Sequence, residues 1–79
     1  MTDNISLFKT SDIQLASYLK CLDYEIKDIS KEGNKITFIF KDTDKRKQDV
    51  LDFFNNKGLV EPNLLLKSEK DLKGILHNS

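Results

Sequence analysis

Residues 24–42 read YEIKDISKEGNKITFIFKD, and this stretch decides the fold. Ile36, Phe38 and Phe40 alternate with Lys35, Thr37, Ile39 and Lys41, the period-two signature of a strand buried on one face. Before them, Gly33 and Asn34 offer a two-residue hairpin turn. A hairpin closed there sets Glu32 against Lys35 and Ile29 against Phe38, so Ile29 joins the Phe face. The same register carried further would turn Ile26 and Tyr24 outward. One extra residue at Lys27 or Asp28 restores both, opposite Phe40 and Asp42, and a β-bulge is therefore expected. A three-residue loop without a bulge is the alternative. It buries Asp28 beside Phe38, where an unpaired carboxylate is costly.

Working outward, the segment before the hairpin predicts a helix over 12–22. Thr10 and Ser11 offer N-caps, Asp12 suits the first turn, and Leu15, Leu19 and Leu22 form an apolar stripe flanked by Tyr18. Ile13 and Cys21 lie off that stripe. Ile5 to Lys9 reads as a short edge strand, because Leu7 and Phe8 are costly to leave in water, with a floppy tail as the alternative. After the hairpin a second helix opens past Asp42 or Thr43, with Val50 and Phe54 as its apolar centre and Leu51 and Phe53 on the flanks. Arg46 and Lys47 share that side one turn earlier. Asn55, Asn56 and Gly58 end it, and Leu59–Glu61 connect to a third helix started by Pro62. Leu65, Leu72 and Leu76 share one face of this helix, with Ile75 adjoining. Two readings of 64–68 stand. Ser68 with Asp71 resembles a capping box that would restart the helix at Glu69, whereas the unbroken apolar phase favours one continuous helix.

The expectation is an α+β fold in the order β-α-β-β-α-α. Three helices cover one face of a small antiparallel sheet, within a single domain spanning 1–79 and a core over about 7–77. Phe38, Phe40, Ile26, Leu15, Leu19, Phe54, Leu72 and Leu76 are the expected core. The chain has 79 residues and is 38% apolar, so that core is thin. One core in a chain this short rarely supplies more than ~3–5 kcal/mol.

Composition narrows function mainly by exclusion. Thirteen basic residues balance thirteen acidic ones, so the basic excess of a phosphate-binding module is missing. No apolar run approaches the ~18–20 residues needed to span a bilayer, and no signal peptide is visible. The single cysteine fits a reducing compartment, which places the protein in the cytoplasm.

The chemistry-bearing residues form no catalytic pattern. His77, the sole histidine, sits two residues from the end, where termini fray, and reads as an exposed tail residue or a favourable cation near a helix C-terminus rather than a catalytic base. Cys21 reads as a free structural thiol. One Cys and one His are too few for a transition-metal site. Asp42, Asp44, Asp49 and Asp52 read as the acidic start and outer face of a helix. Three isolated glycines match no phosphate loop. No enzyme activity, metal or cofactor is expected. The nearest thing to a binding signal is the basic run Lys41, Lys45, Arg46 and Lys47, the candidate nucleic-acid contact, although interleaved aspartates weaken its field. The outer sheet face, with Glu25, Lys35, Thr37, Ile39 and Lys41, lacks stacking aromatics.

The strings FKTSDIQLASYLKCLDYEI, KEGNKITFIF, VLDFFN and VEPNLLLKSEKDLKGIL resemble a family of short bacterial and phage-encoded domains of uncharacterised function. The likeness covers about residues 7–77. Its pattern is an F-K-T-x-[DN] opening, a helix bearing Leu and Ala, a glycine-centred hairpin ending F-x-F, and a last helix begun by [DE]-P. Phe8, Lys9, Thr10, Asp12, Leu15, Ala16, Phe38, Phe40, Phe54 and Pro62 carry the match. Glu61 departs from it, since Glu caps a helix less well than Asp. The resemblance implies no catalytic residues; it implies a small accessory protein of a phage or mobile element. The function expected is a non-enzymatic protein-interaction module that binds an unknown protein partner or itself and no membrane, with nucleic-acid binding as the alternative. Ile13, Cys21, Ile39 and Leu66, apolar positions off the expected core, are the candidates for self-association.

Overall fold

The computed structural model describes residues 6–77, and its elements follow in the order β1 (Leu7–Thr10), α1 (Ile13–Cys21), β2 (Ile26–Glu32), β3 (Lys35–Lys41), α2 (Arg46–Phe54) and α3 (Pro62–His77). The three strands form one antiparallel sheet in the order β1-β3-β2. This is the expected α+β architecture. Because β1 and β2 both run against β3, they are parallel to each other, and α1 carries the chain from one sheet edge to the other. Ile5 and the side chain of His77 lie outside the described residues.

The hairpin has the anticipated register. Glu32 pairs with Lys35 and Ile29 with Phe38, and Gly33 turns with a φ of 60°. Pairing shifts between Ile26, opposite Phe40, and Asp28, opposite Ile39, so Lys27 is the extra residue of the bulge. The bulge returns Tyr24 to the core, where it is buried and meets Phe40 edge-on at 6.4 Å. Ile26 and Ile29 are half-buried against the same core.

α1 lies at the centre, with Leu15 through Leu19 buried in an unbroken run. A surface helix would show only a stripe, but α1 has the sheet, α2 and α3 around it. Its buried Ser17 hydroxyl is satisfied by donating to the Ile13 carbonyl at 2.7 Å. The N-cap is Asp12, not Thr10 or Ser11. Its Oδ1 accepts from the amides of Gln14 and Leu15 at 2.9 and 3.2 Å, and Thr10 Oγ1 accepts from the Asp12 amide. Asp12 takes the role because its Oδ1 reaches both orphan amides at once.

α3 is continuous through Ser68, which is buried with its Oγ 3.4 Å from Cys21 Sγ. The hydroxyl thus partners α1 across the helix interface and is not free to cap. The Glu61 carboxylate does cap α3, accepting from the amides of Asn63 and Leu64 at 3.1 and 2.9 Å. The poor-cap expectation for Glu61 is corrected on that point: its longer side chain still reaches both amides.

α2 brings the main correction to the core. Phe54 is 62% exposed, and the inward aromatic is Phe53, tilted against Tyr18 at 5.3 Å. Arg46, Val50 and Phe53 therefore face inward at spacings of four and three, and Leu51 with Phe54 turns out. The connector explains the roll. Gly58 passes so close to Tyr18 that a β-carbon there would overlap the phenol ring, and this fixes how α2 ends against α1.

Candidate functional site

Around the start of α2 the chain forms a groove of about 540 Å³, lined by Leu22, Tyr24, Lys41, Thr43, Lys45 and Asp49 among others. Tyr24 lies in it with its hydroxyl donating to Asp49 Oδ2 at 2.6 Å and accepting from Thr43 Oγ1 at 3.0 Å. Burial, reinforced by the bond to Asp49, pushes the Tyr24 phenol from 10.0 up to about 12. Burial also pushes Tyr18 up, with Asp49 and Asp52 adding to it. Tyr24 is thus a neutral, internally bonded group at ordinary pH and serves as a strut from the chain entering β2 to Thr43 and to Asp49 on α2.

The four basic residues singled out in the sequence do not stay together. Lys41 and Lys45 line this groove, but so do Asp23, Glu25, Asp44 and Asp49. Arg46 is engaged elsewhere. Its Nε and Nη2 donate to the two Asp42 carboxylate oxygens at 3.0 and 3.3 Å, and its guanidinium lies 4.7 Å from the Phe8 ring centre. The guanidinium bond holds the Asp42 carboxyl below the usual carboxylate range. Lys47 is exposed on α2. Two lysines among four acids make a groove without a positive field.

The aspartates are distributed in the same manner. Asp42 is held by Arg46, Asp49 by Tyr24 and Asp52 by Gln48 at 2.8 Å. No cluster of three metal-ligating side chains occurs among the described residues.

The four self-association candidates also fall in separate places. Ile13 lines a second groove of about 510 Å³ with Ile36, Phe38 and Leu76. Cys21 is half-buried beside Ser68. Ile39 sits half-buried on the open sheet face, in a shallow depression with Lys9 and Thr37. Only Leu66 is well exposed, at 61%.

What sequence reasoning missed is the company Leu66 keeps. Of the seven large apolar residues exposed among the described residues, Leu51, Phe54, Leu59, Leu64 and Leu66 fall in the stretch from the second half of α2 to the start of α3. Leu59 is the extreme, at 95% exposed. Leu51 and Phe54 lie one helical turn apart on one face of α2, and Phe54 meets Phe53 edge-on at 5.3 Å. Tyr18, Phe53 and Phe54 thus form an aromatic ladder from core to surface. A sequence signal did exist, in the run Leu64, Leu65 and Leu66, which no single helix face can bury.

A family model described as Domain of unknown function (DUF5659) matches residues 6–78. No curated protein and no solved structure shows a significant match to the chain.

Proposed function

The chain belongs to the family of that domain of unknown function, and from this premise we propose that it is a small, non-enzymatic protein-interaction module acting in the cytoplasm. The observation that carries the reading is the concentration of exposed apolar side chains between Leu51 and Leu66. Single exposed leucines are common on monomers, whereas several within one short stretch of chain give a partner more apolar area to cover. Each side chain of this kind gains ~1.5–3 kcal/mol when fully buried. A thin-cored domain leaves that stabilisation unused unless a partner supplies the other wall. An accessory role in a phage or mobile element belongs to the same proposal and rests on the segments quoted above. No helix among the described residues is long and apolar enough to cross a membrane. The mixed charge of the Lys41–Lys45 groove argues for protein over nucleic acid as the ligand.

Cross-linking mass spectrometry in the native host tests this. Lys57 and Lys67 lie within or beside the apolar stretch, while Lys31 and Lys35 lie on the hairpin. The expected result is links to one recurring protein from Lys57 or Lys67, lost in the double variant Leu51→Ser/Phe54→Ser while its thermal midpoint stays near that of the wild type. Links confined to the hairpin lysines, or unchanged in the double variant, would count against the reading.

A further inference from the structure

Among the described residues the sheet has two unpaired edges, β1 and β2, and they differ. β2 carries the bulge at Lys27 and the charged residues Lys27, Asp28, Lys31 and Glu32, features that discourage strand addition. β1 has an unbroken register and a single charge, Lys9. Its pairing with β3 fixes where each backbone group points. The Ser6 carbonyl accepts from the Asp42 amide at 2.9 Å, and Phe8 and Thr10 continue that ladder opposite Phe40 and Phe38. In an antiparallel pair these directions alternate, so the amides and carbonyls of Leu7 and Lys9 face away from the sheet. Leu7 and Lys9 are both exposed.

We propose that this edge pairs with β1 of a second copy, antiparallel about a two-fold axis at Phe8, to give a symmetric dimer with one continuous six-stranded sheet. The proposal goes beyond the interaction reading and rests on β1, not on Leu51 and Phe54. The occupant is a second copy because the edge is self-complementary. The two-fold sets Leu7 opposite the partner's Lys9 and Lys9 opposite the partner's Leu7, so all four free N–H groups meet free carbonyls. Phe8 meets the partner's Phe8 in the closer, non-hydrogen-bonded position, and half-buried rings gain the contact. Arg46, already over the Phe8 ring, has its charge matched by Asp42. Lysine faces leucine across the join, so no like charges are placed directly opposite. β1 offers four residues per copy, against roughly 20–30 a side in a standard interface, so the dimer is expected at high concentration.

Amide hydrogen exchange of the full chain at two concentrations a hundredfold apart, with the mass from sedimentation equilibrium, tests this. Leu7 and Lys9 amides are expected to exchange at least tenfold more slowly in the concentrated sample, while Phe8 and Thr10 amides, bonded to β3, stay slow in both. Lys9→Pro removes an outward N–H and leaves the bonds to β3 intact. It is expected to keep the mass of a monomer throughout, with a thermal midpoint near that of the wild type. Exchange at Leu7 and Lys9 that ignores concentration overturns the proposal, and this readout holds even if Lys9→Pro does not fold. Dimers that persist in Lys9→Pro also overturn it, and leave the Leu51–Leu66 reading standing. Loss of the Lys57 and Lys67 cross-links would instead remove that reading and leave this one.

Discussion

Phe38 and Tyr24 show how unequally single side chains bear on this molecule. Phe38 is 1% exposed, and its strand is paired on both sides. Truncating a core Phe costs ~3–5 kcal/mol, comparable to the whole stability one small core provides. Phe38→Ala is therefore expected to leave the chain largely unfolded at room temperature by circular dichroism; a wild-type melting curve would remove Phe38 from the core. Tyr24 ties stability to alkaline pH. Its phenol titrates near 12 in the fold and near 10.0 in the unfolded chain, so the fold favours the neutral form. That contribution is complete below pH 10 and is lost as pH rises toward 12. Tyr24→Phe should make the fall of the thermal midpoint across this window shallower, with Tyr18 supplying the remaining slope. An equally steep fall in the variant would show that Tyr24 is not the group responsible.

At the scale of elements, the hairpin was readable because its period-two pattern, turn and buried-carboxylate cost all pointed to one register. The bulge gives the sharpest check of that logic. Deleting Lys27 places Ile26 opposite Phe40 in a regular ladder, with every side chain kept on its face. Deleting Ser30 instead turns Ile29 outward, since a one-residue slip exchanges the faces. The first deletion should fold with a midpoint near that of the wild type, and the second should not fold. Two folded deletions, compared by denaturant titration, would show that face assignment does not control this hairpin. The cap of α3 is a further check. Glu61→Ala should cost ~0.5–2 kcal/mol, and no change in the denaturation midpoint would mean that the two Glu61 bonds contribute nothing. α2 was less readable than either. Val50, Phe53 and Phe54 fit an inward face in more than one roll. The choice was made by Tyr18 and Gly58, a contact between distant parts of the chain that no local pattern records.

The described residues form a thin slab, 41 × 32 × 18 Å, in which the helices cover one sheet face and no described element covers the other. The topology could be read from the order of elements, whereas the candidate surface could not. The surface depends on which apolar residues remain uncovered once α1 has taken the centre, and that is a property of packing. The basic run failed to form a patch for the same reason: folding sent Arg46 to Asp42 and Phe8 and set Lys41 and Lys45 among acids. The central claim is that the stretch from Leu51 to Leu66 faces a protein partner. A photoreactive amino acid placed at Phe54, and in parallel at exposed Lys70 on α3, tests it most directly in the native host. A discrete covalent adduct of defined mass is expected from position 54 and none from position 70. Equal labelling at both positions, or no adduct at 54, would contradict it.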